Sequence, residues 1–176
     1  DVYVNATTTG RLVIGIDPGL ASTGWGIVLC RANRLKYVAH GVIATSPTEA
    51  HQDRLVKIYT ELTAILELHK PTEAGMETLY FSKNVSSAMG VAEARGVVTL
   101  ALALRGIVLG EYTPHGIKQA VVGVARADKS QVQEAVRALL ALKEIPRPDH
   151  AADALAAAIT CIHTAKIPGC ACGRKA

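Results

Sequence analysis

Aromatic residues make up only 4% of this 176-residue chain, which has one tryptophan and one phenylalanine. With 49% of residues apolar, the core must be assembled from Ala, Val, Leu and Ile. Long hydrophobic runs are also missing. No stretch reaches the length of a bilayer span and charges interrupt the long helical segments, so no membrane association is expected. Residues 1–10 hold Asp1, Asn5 and a threonine run instead of the basic start and apolar centre of a signal peptide. They read as a flexible N-terminal arm. Cysteine is scarce. Cys30 and Cys161 fall in apolar segments where small buried thiols are ordinary. Cys170 and Cys172 lie in a polar stretch, 167–176, read as a flexible tail. Two thiols cannot complete a four-ligand zinc site, and no second pair exists. A reduced, cytoplasmic protein is expected. An excess of charge is nearly absent too: 19 Lys and Arg against 15 Asp and Glu give net +4, which permits an anionic partner without proving one. Beyond alanine enrichment there is no repeat and no low-complexity tract.

What is present fits one domain over residues 11–166. Leu12, Val13, Ile14 and Ile16 form a buried-strand pattern that ends at Asp17, Pro18 and Gly19. Gly24–Cys30 and Leu35–Ile43 read as two further strands, joined by a polar link, Arg31–Arg34, short enough for a hairpin. Leu55, Ile58, Leu62, Ile65 and Leu66 recur at helical spacing within 51–70, before Pro71. A short strand over 72–77 would end at Glu77. An Ala/Val/Leu-rich helix over 85–104 is apolar nearly all round, so it is expected to be buried on more than one side, by the sheet and by a second subunit, with Gly90 and Gly96 allowing close approach. A fifth strand spans 107–112. Thr113 and Pro114 open a short helix. Asp128 and Gln131 form a capping box for a helix through Leu142, and a last helix runs from Asp149 to about Lys166. Strands alternating with helices predict an α/β fold.

A carboxylate beside a core strand is costly unless it is paired. For Asp17 a metal site and a turn aspartate satisfied by its own loop are equally good readings. Parallel neighbouring strands would bring Asp17 and Glu77 to one edge. His150 and Asp153 share a face in the first turn of the last helix, and a position one turn inside an alanine-rich helix is poorly explained by capping alone. Asp149 fits a cap. Three carboxylates and an imidazole in one place require cations, and oxygen-rich donors suit magnesium or manganese. Two such ions can drive phosphodiester hydrolysis.

Gly15-Ile-Asp-Pro-Gly-Leu-Ala-Ser-Thr-Gly-Trp-Gly26 closely resembles the opening of the RuvC family, the bacterial Holliday junction resolvases. The likeness continues through Glu77, Ser82–Asn84, Ala94–Gly96, Lys118–Gly123, Lys129–Gln133 and Asp149–Ala156, in order over roughly 11–166. The resemblance implies a ribonuclease H-like fold with a five-stranded mixed sheet flanked by helices. It implies a homodimeric endonuclease that nicks two opposing strands of a four-way junction symmetrically, using two magnesium or manganese ions, in partnership with a branch-migration motor. By position, the catalytic and metal-binding set is Asp17, Glu77, His150 and Asp153. The third place holds aspartate or histidine within the family, and Asp149 beside it leaves the ligand open. Lys118 and Lys129 match lysines near the scissile phosphate. Tyr80 matches the junction-core aromatic, with Phe81 and Lys83 in the same loop. An aromatic pair in a polar loop of so aromatic-poor a chain favours base stacking over core packing.

Two rival readings remain at this point. An actin-like or sugar-kinase ATPase domain also has a glycine-rich turn after an acidic strand end, but it needs a second domain that this length cannot supply. A related RNA-processing nuclease would share the fold class.

Overall fold

The computed structural model describes residues 10–79 and 85–164, with backbone alone for 85–87. Residues 1–9 of the arm expected over 1–10, the tail expected over 167–176, and Tyr80, Phe81 and Lys83 lie outside the described residues. β1 (Arg11–Asp17), β2 (Ser22–Arg31) and β3 (Arg34–Ala44) form an antiparallel meander. Ala32 and Asn33, both at positive φ, turn the β2–β3 hairpin. α1 (His51–His69), β4 (Glu73–Glu77), α2 (Val85–Ala103) and β5 (Val108–Tyr112) follow, and β4 pairs in parallel with both β1 and β5. The sheet order is β3-β2-β1-β4-β5, which places β1 at its centre. α3 (Pro114–Val122), α4 (Lys129–Leu139) and α5 (Asp149–Thr164) complete the chain. This is the five-stranded mixed α/β sheet that the sequence pattern predicts.

Strand alternation divides the core. Ile14 and Ile16 pack with Ile58 and Leu62 of α1 and with Val98 and Leu102 of α2. Val13, on the opposite face, joins Leu155 and Ile159 of α5, Ile117 of α3 and Val136 of α4. The odd-numbered residues of β1, Arg11 to Asp17, therefore look toward α5.

A row of glycines decides how close α5 comes. Gly26, Gly15, Gly75 and Gly110 stand in register across β2, β1, β4 and β5. A Cβ on Gly15 would collide with the Ala154 carbonyl oxygen, one on Gly75 with that of Ala157, and one on Gly26 would lie 2.5 Å from Leu155 Cγ. The facing side of α5 is correspondingly small, with Ala151, Ala154, Ala157 and Ala158 buried. Helix and sheet thus meet almost backbone to backbone.

α4 ends three residues before the expected Leu142. Ala141 adopts a left-handed φ of 51°, Leu142 N–H donates to the Arg137 carbonyl at 2.9 Å, and Ala141 N–H donates to that of Ala138 at 3.1 Å. This is a Schellman stop without its usual glycine, and it returns Leu142 to the core. α1 likewise closes at His69, with Lys70 left-handed and its N–H on the Leu66 carbonyl at 2.8 Å.

Candidate active site at the β1–β4 edge

Ile16 is level with Met76 in the parallel β1–β4 ladder, so Asp17 and Glu77 end adjacent strands on the face that α5 covers. The helix starts above this edge because Gly24, the ladder partner of Asp17, has no side chain. A Cβ there would lie 2.8 Å from His150 Cβ and closer still to the His150 backbone. The first turn of α5 therefore settles over Asp17, and His150 Nδ1 meets Asp17 Oδ2 at 2.7 Å. One ligand atom each from Asp17, His150 and Asp153 lies within 4.8 Å of the others. All three remain reachable from solvent.

Glu77 borders a cleft of about 140 Å³ shared with Asp153, Lys118, Lys129 and the apolar Ile117 and Val132. Loss of hydration, followed by the charges of Asp17 and Asp153, pushes the Glu77 carboxyl above its ordinary range, against the pull of Lys118. Asp153 is raised for the same reasons, loss of hydration first and then Asp17, with Lys129 and His150 opposing. The acid cluster is short of positive charge. Its oxygen-rich donors, joined by one imidazole, fit a hard divalent cation.

The basic residues arrive from α3 and α4. The capping box forms as the sequence predicts: Gln131 N–H donates to Asp128 Oδ1 and Asp128 N–H to Gln131 Oε1, each at 2.9 Å. It sets Lys129 at the first helical position, where Nζ lies 3.2 Å from Asp149 Oδ2 and 3.4 Å from Asp153 Oδ2. Asp149 also accepts from Arg147 Nη1 at 3.2 Å. Of the two neighbours left open by sequence, His150 faces the acid cluster and Asp149 faces the cations.

Arg95 escaped the sequence reading. From the opposite face of the sheet its Nη1 donates to the Glu77 carbonyl oxygen at 2.5 Å, and its Nη2 pairs with Glu111, so it braces the end of β4. The signal was a guanidinium in a helix whose one other charged residue is Glu93.

The profile described as Crossover junction endodeoxyribonuclease RuvC matches residues 13–161. The chain belongs to the RuvC family. The RuvC protein of Treponema denticola is 59% identical over 151 residues, covering 86% of this chain and 85% of that protein. RuvC of Heliobacterium modesticaldum is 48% identical over 153 residues, 87% and 94% of the two chains. A solved structure described as Thermus thermophilus RuvC in complex with a Holliday junction substrate superposes with a TM-score of 0.82 at 35% identity, covering 87% of this chain and 93% of that one. The fold is therefore the RuvC type of the ribonuclease H-like architecture. No described helix is long and apolar enough to cross a membrane.

Proposed function

We propose that this chain resolves four-way DNA junctions in recombination and repair, as a metal-dependent endonuclease that nicks two opposing strands symmetrically. One observation carries this reading. Asp17, His150 and Asp153 bring ligand atoms within 4.8 Å at a sheet edge, and Glu77 is near enough to feel both acids, in a chain of the RuvC family. Asp17, Glu77, His150 and Asp153 would hold two magnesium or manganese ions. Bound there, such ions supply the Lewis acidity that activates water and stabilises the leaving oxygen of a phosphodiester.

The remaining work falls to the chain's own residues. Lys118 and Lys129 border the cleft beside the acids and would hold the phosphate that the acids alone would repel. Tyr80 and Phe81 follow Glu77 closely in sequence and would stack on bases at the branch point, with Lys83 on the backbone.

Two symmetric nicks need two sites, hence a homodimer. α2 offers a face for the second copy: Met89 and Leu100 are exposed, and among the described residues a Cβ on Gly96 would meet nothing within 4 Å. A branch-migration motor is the further partner that family membership suggests.

Electrophoresis of a four-way junction beside a linear duplex of the same sequence tests the reading. The junction should be bound intact without magnesium and nicked in pairs with it, while the duplex is spared. Equal cutting of both substrates, or an intact junction in magnesium, would overturn it.

A further inference from the structure

We propose that Lys129 competes with a divalent cation for Asp153, and that it is displaced from Asp153 toward Asp149 when such a cation binds. This rests on the reading that the acids hold such cations. Among the described residues, Lys129 is the one lysine or arginine ion-paired with Asp17, Glu77 or Asp153. Its ammonium stands between two carboxylates, 3.4 Å from Asp153 and 3.2 Å from Asp149. Those two acids are four residues apart on α5 and so share a face of its first turn.

The arrangement lets the ammonium change partner without leaving. A cation that takes Asp153 removes one acceptor and repels the ammonium, and Asp149 retains it at the cleft. The capping box fixes the backbone of Lys129, whereas its side chain is 57% exposed and free to swing. Asp149 also touches Arg147, so its own position does not depend on Lys129. In this account Asp149 is a positioning residue. It keeps the ammonium beside the site, where a phosphate oxygen arriving with the substrate becomes the next partner.

The exchange has a cost that can be measured without DNA or catalysis. Manganese must compete with Lys129 for Asp153, so removing the ammonium should tighten metal binding. Calorimetric titration of manganese into the full chain should show Lys129→Gln binding roughly two- to tenfold more tightly than wild type, the scale of one partly solvated charge pair. A second readout needs no substitution. Amine-reactive labelling, quantified by mass spectrometry, should rise at Lys129 on adding manganese, relative to the exposed Lys36. Wild type that binds manganese while Lys129→Gln binds equally or more weakly would overturn the proposal and leave the metal reading standing. Unchanged labelling would also overturn it. Failure of both proteins to bind manganese would remove the metal reading and this proposal together.

Discussion

Gly24 lies directly beneath the backbone of His150 while it pairs across the ladder with Asp17. The bare strand thus allows an imidazole on one element to reach a carboxylate on another. Gly24→Ala should lift the first turn of α5. We expect a loss of about 1–3 kcal/mol in stability, typical of overpacking, together with clearly weaker manganese binding. Urea denaturation and calorimetry check the two effects separately. A variant that keeps wild-type metal affinity would show that the close approach does not set the site.

Glu73 and Glu77 share a face of β4 but titrate in opposite directions. Hydrogen bonds from Arg11, at 2.7 and 2.6 Å, hold the Glu73 carboxyl below the usual carboxylate range. Loss of hydration and then the neighbouring acids push Glu77 above it. A lowered folded value gives stability that is present above the unfolded value and is lost as pH falls through the folded one. A raised value gives stability that is full below the unfolded value and is lost as pH rises through the folded one. At neutral pH, Glu73→Gln should therefore destabilise, and Glu77→Gln should stabilise the metal-free protein. Both differences should shrink in acid. Thermal melts in chelator across the carboxylate range decide the signs, and manganese should reverse the advantage of Glu77→Gln.

Asp17→Asn should keep junction binding and lose cleavage. Phosphate contacts dominate affinity for DNA, and this change removes one negative charge from the acid cluster while relieving its repulsion. Binding measured by mobility shift should be equal or tighter. Cleavage at the wild-type rate in magnesium would remove Asp17 from the metal site.

Local chemistry made much of the fold legible in the sequence. The Asp128–Gln131 box, the Thr113 cap and the Ala32–Asn33 turn depend on near neighbours and form as expected. Asp17 and Glu77 could be placed together because parallel adjacent strands carry their ends to one edge. The glycine row could not be read, since alignment of Gly26, Gly15 and Gly75 is a property of three strands' register. Arg95 was missed for the same reason: its partners on β4 and β5 lie 16 to 18 residues away. The early stop of α4 was hidden because alanine, not glycine, takes the left-handed position.

Tyr80 and Phe81 carry a prediction that rests on their chemistry and on their place after Glu77. An inserted ring can replace lost base stacking, worth about 1–3 kcal/mol per base. The double change Tyr80→Ala, Phe81→Ala should strongly slow cutting of a fully paired junction. The same protein should regain much of its rate on a junction with unpaired bases at the crossover. Misfolding would depress both substrates alike, so the ratio of the two rates is the quantity to compare. A wild-type ratio would make the pair packing residues.

The exposed face of α2 gives two substitutions with opposite expected signs. Met89 and Leu100 are 61% and 55% exposed, as is Leu104, just past the helix end, at 65%. Gly96 sits among them, and among the described residues no other part of the fold lies within 4 Å of where a Cβ would be. Glycine inside a helix costs about 1 kcal/mol relative to alanine, and no contact among the described residues offsets that. A second copy packed closely at Gly96 would. Leu100→Glu should therefore give a folded monomer by sedimentation equilibrium, because a charge on this face resists burial. Adding Gly96→Ala to that monomer should raise its stability by roughly 0.5–1 kcal/mol. In the otherwise wild-type chain, Gly96→Ala should instead weaken self-association, since the added methyl groups hold the helices apart. Stabilisation of the monomer with loss of the dimer is the expected pair of results. Gly96→Ala that leaves self-association unchanged would place the interface elsewhere than α2.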